Sequence, residues 1–230
     1  ARGLLRAAIC TLALATAAFL VTHYVPSTPL RGTLVASLGE RPYLGVYSLV
    51  YFATLGWMIY AYRHAPFLPL WQVPELKLWP LFVMPFALIL LACGLMGSNP
   101  TAVRQEGALK AAEPARGILR VTRHPMMWGF GLWSAVHLLA RGDAAALIFF
   151  GGFFVLALSG TALIDARKAR TLGADWSRFA AVTSNIPFMA IIEGRNRFRL
   201  AEIGWTKILT GLVLYGVLLG LHPMLFGVGP

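Results

Sequence analysis

Six apolar stretches decide what this chain can become: residues 4–25, 43–62, 76–97, 125–140, 144–164 and 206–221. Each is long enough, or nearly so, to cross a hydrocarbon layer about 30 Å thick. Lipid offers no partner to backbone N–H and C=O groups, so segments of this kind must be helices. The expectation is an all-α polytopic membrane helix bundle, a single domain over 1–230 with about six transmembrane helices. The fourth and sixth stretches are short and require little tilt or a locally thinned bilayer. The first has the look of a secretory signal, with Arg2, Arg6 and Ala-Thr-Ala at 15–17, and is counted here as a helix.

Composition agrees, with 58% hydrophobic and 13% charged residues against about 45–50% and 25% in soluble domains. A net charge of +11 would point to nucleic acid in a soluble protein. Here retention of basic loops on the cytoplasmic side accounts for it, and no nucleic-acid partner is expected. Counted by loop, fifteen Lys and Arg fall on one side of the bundle and five on the other. That bias puts both termini outside and the large loops in the cytoplasm. Cys10 and Cys93 lie within apolar runs, without metal-ligand spacing.

Between the fifth and sixth stretches, residues 176–192 carry Trp176, Phe179, Val182, Ile186, Phe188, Met189 and Ile191 among basic and small residues. This reads as an amphipathic segment lying on the cytoplasmic leaflet. A lid over a site between the helices is the sharper alternative.

The chemistry available is that of histidine. No Gly-rich phosphate loop, paired membrane carboxylate or Ser/His/Asp arrangement is legible. Asp165 reads as a helix-end residue paired with Arg167 and Lys168. Arg123-His124-Pro125 opens the fourth stretch, and His137 sits deep within it. An imidazole in hydrocarbon is either hydrogen-bonded to a neighbouring helix or functional, and it is the usual nitrogen ligand of haem iron. His23 lies near the cytoplasmic end of the first stretch, His64 at the outer end of the second, and His222 ends the sixth. Gly129 and Gly131 thin the fourth helix, most economically for helix packing. Arg116, Arg120 and Arg123 would share a face if that approach were helical. Retention by charge explains them most simply; pairing with haem propionates or an acidic headgroup is the alternative.

Several blocks taken in order carry a resemblance: Thr22-His23-Tyr24-Val25-Pro26-Ser27, Leu38-Gly39-Glu40-Arg41, residues 118–126 (Ile-Leu-Arg-Val-Thr-Arg-His-Pro-Met), Ala135-Val136-His137, Ile186-Pro187-Phe188, Glu193-Gly194-Arg195 and His222-Pro223. Over nearly its whole length the chain resembles the NnrU family of bacterial membrane proteins, whose other branch is the 15-cis-zeta-carotene isomerase of plants and cyanobacteria. The resemblance implies the bacterial inner (cytoplasmic) membrane and a haem b with His23 and His137 as axial ligands. It implies either cis–trans isomerisation of a lipophilic polyene or a haem redox role linked to nitric oxide and denitrification. In the isomerase branch a cysteine three residues before the second histidine is associated with ligand exchange; Ser134 stands there in this chain.

The expected depths of the two histidines do not match. Axial ligands need α-carbons on the order of 12 Å apart, whereas the helix centres read from sequence separate His23 and His137 by roughly 24 Å. His124 would share a level with His23, and His222 with His137, so both remain candidate cofactor ligands alongside Arg120 and Arg123. A third function class is a methyltransferase using S-adenosylmethionine near His124. Arg-His-Pro opening a membrane helix, followed by Ile186-Pro187, is similar to the isoprenylcysteine and phospholipid methyltransferases. Those place a Glu-rich stretch where this chain has Asp165-Ala166-Arg167.

Overall fold

The computed structural model describes residues 2–102 and 104–229. Among them regular structure is helical throughout, and the strand-like pairing is a single bridge between Pro69 and Asp143. The main helices are α1 (Arg2–Tyr24), α2 (Leu30–Leu38), α3 (Glu40–Arg63), α4 (Trp79–Met96), α5 (Pro125–Arg141), α6 (Ala144–Val182), α7 (Met189–Ile192) and α8 (Trp205–Phe226). By its contacts the chain divides into two compact units, one holding 1–77 with 134–156 and the other 78–133 with 157–230.

In the first unit α1 and α3 run antiparallel. Thr16 and Met58 meet beside Gly152, whereas further along α1 the His23 ring meets Tyr51 at 4.6 Å. Gly152 of α6 lets α1 approach: a Cβ there would sit 2.6 Å from Thr16 Cγ2. The α5–α6 turn is tied to the loop after α3. Leu70 N–H and Trp71 N–H donate to the Gly142 carbonyl at 2.8 and 3.0 Å, and Trp71 Nε1–H donates to Leu139 O at 3.0 Å. Gly142 has φ of 61°, a conformation that costs glycine little. Asp143, fully buried, accepts from Ala146 N–H at 3.1 Å and so caps α6.

In the second unit small residues bring helices to contact. A Cβ on Gly211 of α8 would lie 2.6 Å from Ile89 Cα of α4, and Tyr215 O–H donates to Leu81 O at 2.9 Å. Gly94 faces Met126 and Gly129 faces Leu91, so α5 lies antiparallel along α4, and packing is the role of Gly129.

Five helices are long and apolar enough to cross a membrane: Gly3–Ser27, Glu40–Arg63, Pro74–Met96, Ala144–Val182 and Trp205–Phe226. The remaining expected span, α5, has 17 residues and reaches only about 26 Å. α6 does not stop near residue 164. It runs to Val182 with a break at Gly173 (φ 51°, ψ −120°). The break redirects the helix, and Trp176 and Phe179 bury themselves against Leu109, Ala115 and Leu119. These two aromatics therefore do not lie on a leaflet as their spacing suggested; a polar-side core outcompetes the interface for them. Val182, Ile186, Phe188 and Ile192 do remain exposed, which leaves the segment amphipathic.

Candidate functional site

Two clusters hold the polar chemistry, one in each unit. In the first unit His23 and His137 occur together with a wall of aromatic rings. His23 Nδ1 lies 2.8 Å from Phe19 O. A carbonyl can only accept, so Nδ1 carries the proton and Nε2 keeps its lone pair. That is the arrangement that orients a ligating imidazole. His64 and His222 bond carbonyls in the same way, through Tyr60 O and Val228 O, but those bonds are exposed. His23 instead rests on Phe19 at 4.1 Å and Tyr51 at 4.6 Å. The rings continue from Phe19 to Phe153 (5.1 Å), Phe149 (5.3 Å), Phe150 (5.1 Å) and finally His137 (5.4 Å).

α3 serves as a ruler for the depth of the pair. His23 packs on Tyr51. Phe149 and Phe150, the second of which stacks on His137, pack on Tyr62 at 4.3 and 5.7 Å. From Tyr51 to Tyr62 the helix rises about 16 Å. Read along α3, the offset is therefore smaller than the roughly 24 Å read from sequence. An available Nε2 lone pair and an apolar aromatic wall suit an iron porphyrin in donor chemistry, while the depth along α3 still exceeds the roughly 12 Å of an axial pair. Ser134, one turn before His137, is fully buried.

In the second unit His124 is 1% exposed, with Nε2 2.6 Å from Asp165 Oδ1. Arg123 grips the same carboxylate through Nε at 2.9 Å and Nη2 at 2.6 Å, and its Nη1 donates to Thr183 O at 3.2 Å. Burial pushes the His124 pKa below its ordinary value; Asp165 opposes that and Arg123 reinforces it. The imidazole is thus neutral near pH 7 and donates Nε2–H to the carboxylate, while Nδ1 is buried without a hydrogen-bond partner. Around this core Thr122 Oγ1 and Trp128 Nε1 both donate to Asn185 O, at 2.6 and 2.8 Å, and Asn185 Nδ2 donates to Thr161 Oγ1 at 2.7 Å.

Asp165 therefore pairs with Arg123 and His124, not with Arg167 and Lys168. Lys168 is buried and bonded to Glu106. The cue in the sequence was a carboxylate inside an apolar helix, a costly placement that demands partners. Asn185, Thr161 and Thr122 carry no such cue, because nothing local shows that they meet.

The arginines do not share a face. Residues 117–120 form a tight 3-10 turn, so the helical spacing fails. Arg116 is exposed. Arg120 is buried and donates Nε to Glu202 at 2.7 Å and Nη1 to Asn196 at 2.6 Å, with Nη2 on Glu113. These bonds hold the Glu202 carboxyl down at about 2. Both Arg120 and Arg123 thus have carboxylate partners within the protein. His222 sits half-buried on α8, in the other unit from His23 and His137.

Comparison with known proteins follows the same lines. A 79-residue segment is 40% identical to the chloroplastic 15-cis-zeta-carotene isomerase of Arabidopsis thaliana, covering 34% of this chain and 22% of that protein. Over 104 residues the chain is 33% identical to the chloroplastic 15-cis-zeta-carotene isomerase of Zea mays, covering 41% and 28% respectively. The matches thus span about a quarter of the length of these curated relatives. No solved structure matches. The family model described as NnrU protein matches residues 11–230, nearly the whole helical bundle, and the chain belongs to the NnrU family.

Proposed function

We propose that this chain is a membrane isomerase acting on a double bond of a lipophilic polyene, with haem b held by His23 and His137. The observation that carries the reading is the pair of imidazoles in one unit, joined by the Phe19–Phe153–Phe149–Phe150 wall. Relatives named as carotene isomerases supply the reaction class. Haem iron, when bound, supplies a centre that draws electron density from a double bond and eases rotation about it. The chain's own residues do the rest. The Phe19 carbonyl fixes the His23 ring, the aromatic wall excludes water, and the apolar surroundings suit a long hydrocarbon.

Ser134 favours a second reading, a haem redox protein that does not isomerise. A buried hydroxyl is a far poorer iron ligand than the thiolate associated with ligand exchange. One experiment separates the readings. The detergent-purified protein should show a sharp reduced α-band that is lost in both His23→Ala and His137→Ala. A folded, colourless protein overturns the haem assignment. If the band is present, conversion of a cis-polyene under reducing conditions distinguishes the isomerase from the electron carrier. Nitric oxide binding without conversion selects the latter.

A further inference from the structure

Among the residues outside the membrane-spanning helices, the stretch joining α6 to α8 exposes an apolar surface that the bundle does not explain. Ile186, Phe188, Ile192 and Phe198 all lie open, Ile192 at 77% and Phe188 at 48%. Two of them stand together, the Phe188 and Phe198 rings 6.2 Å apart. Contiguous exposed apolar groups of this kind mark a binding surface.

The backbone holds the patch outward at a cost. Phe188 has φ of 66° and ψ of −8°, a left-handed conformation that residues with a Cβ seldom adopt. Four contacts enforce it. Phe188 N–H donates to Val121 O at 2.8 Å, and Ile192 N–H donates back to Phe188 O at 2.9 Å. Ser184 Oγ donates to Ile186 O at 2.8 Å and accepts from Ala190 N–H at 2.9 Å. A strained residue so over-determined is a sign that its side chain is being placed for a purpose.

Charge identifies the occupant. Arg195, Arg197 and Arg199 alternate through the same stretch. Glu193 is taken by Arg195, and Glu202 is shared by Arg120 and Arg199. Arg197 has no side-chain partner among the described residues. The stretch leads directly into α8 at Trp205, which is itself long and apolar enough to span a bilayer. Exposed aromatics and Ile flanked by arginine, continuous with a membrane helix, match the interface of an anionic leaflet.

We infer that residues 186–205 form a membrane-inserting wedge, with Phe188 and Ile192 in the acyl layer and Arg197 and Arg199 on anionic phospholipid headgroups. The test places a fluorescent label at Phe188→Cys or Ile192→Cys, in a Cys10→Ser, Cys93→Ala background. The protein is reconstituted in phosphatidylcholine discs with or without phosphatidylglycerol. Spin-labelled lipid should quench both positions as strongly as a label at Val213→Cys on α8, while aqueous iodide quenches only a control at Arg178→Cys. Iodide quenching of 188 and 192 with silence toward lipid marks an aqueous face and overturns the wedge.

Spin-labelled phosphatidylglycerol should quench Ile192→Cys several-fold better than spin-labelled phosphatidylcholine. Substitution of Arg197→Gln with Arg199→Gln should bring that ratio toward one, about fivefold per arginine at most. A ratio of one in the parent chain overturns the anionic assignment. Phe188→Gly keeps the backbone conformation, so the chain should fold with unchanged or raised thermal stability. Lipid quenching at 192 should then fall at least about twofold, from loss of the neighbouring anchor. Unchanged quenching there removes Phe188 from the wedge.

Discussion

Asp165 carries more of the second unit than its neighbours suggest, because one carboxylate satisfies a guanidinium and a buried imidazole together. Removing a single member of a buried charged set leaves the others unpaired, at a cost of about 3–5 kcal/mol. Asp165→Ala should lower the thermal midpoint accordingly. Asp165→Ala combined with Arg123→Met should recover part of the loss, since a neutral apolar pair strands no charge. Two strictly additive losses would show that the pair is not coupled. At the same scale Glu202 predicts an acid limb. Its carboxyl ordinarily titrates at 4.5 and is held at about 2 by Arg120. The folded state therefore favours the ionised form. That stabilisation is complete above the unfolded value and is lost as pH falls from 4.5 towards 2. His124 adds in the same direction earlier: with its folded pKa lowered from 6.5, acidification below 6.5 protonates the unfolded chain preferentially. Glu202→Gln should flatten only the lower part of a stability–pH curve measured by unfolding in detergent.

Among the helices, small residues determine which faces meet. Gly211 admits the Ile89 backbone, whereas Gly216 on the same helix has open space around its Cβ position. Gly211→Ala should force α4 and α8 apart and cost about 1–3 kcal/mol. Gly216→Ala should be neutral or stabilising by up to about 1 kcal/mol through helix propensity. Equal effects at both sites, read as thermal midpoints, would sink the assignment of Gly211 to the α4–α8 contact. The six expected spans were readable as helices from apolar length, down to short α5, because lipid leaves the backbone no alternative; α2 was not. Nor was the extension of α6 past Gly173. An exposed glycine does not state whether the chain turns or continues; Trp176 and Phe179 continue it because a partner core lies within reach.

Over the whole chain, five helices among the described residues are long and apolar enough to cross a membrane, and the start of α5 packs antiparallel along α4. The Lys and Arg bias of the sequence predicts that Arg170 of α6 and Arg197 face the cytoplasm and that both termini lie outside. Single cysteines at 170 and 197 should react with a membrane-impermeant maleimide only after cells are opened, and cysteines near either terminus without opening. Reaction of all four in intact cells, or the reverse pattern, would overturn this topology. The all-α membrane class, the approximate spans, the unusual histidines at 23, 124 and 137 and the family blocks were all determined by sequence, because each depends on local composition or order. Tertiary structure alone decided that Asp165 serves Arg123 and His124 and that Arg120 belongs to Glu202. It likewise decided that His23 packs on Tyr51 while His137 reaches Tyr62 only through Phe150, about 16 Å further along α3. Partners distant in the chain are chosen by how helices pack, and a buried polar group takes the nearest satisfying atom in space, not in sequence.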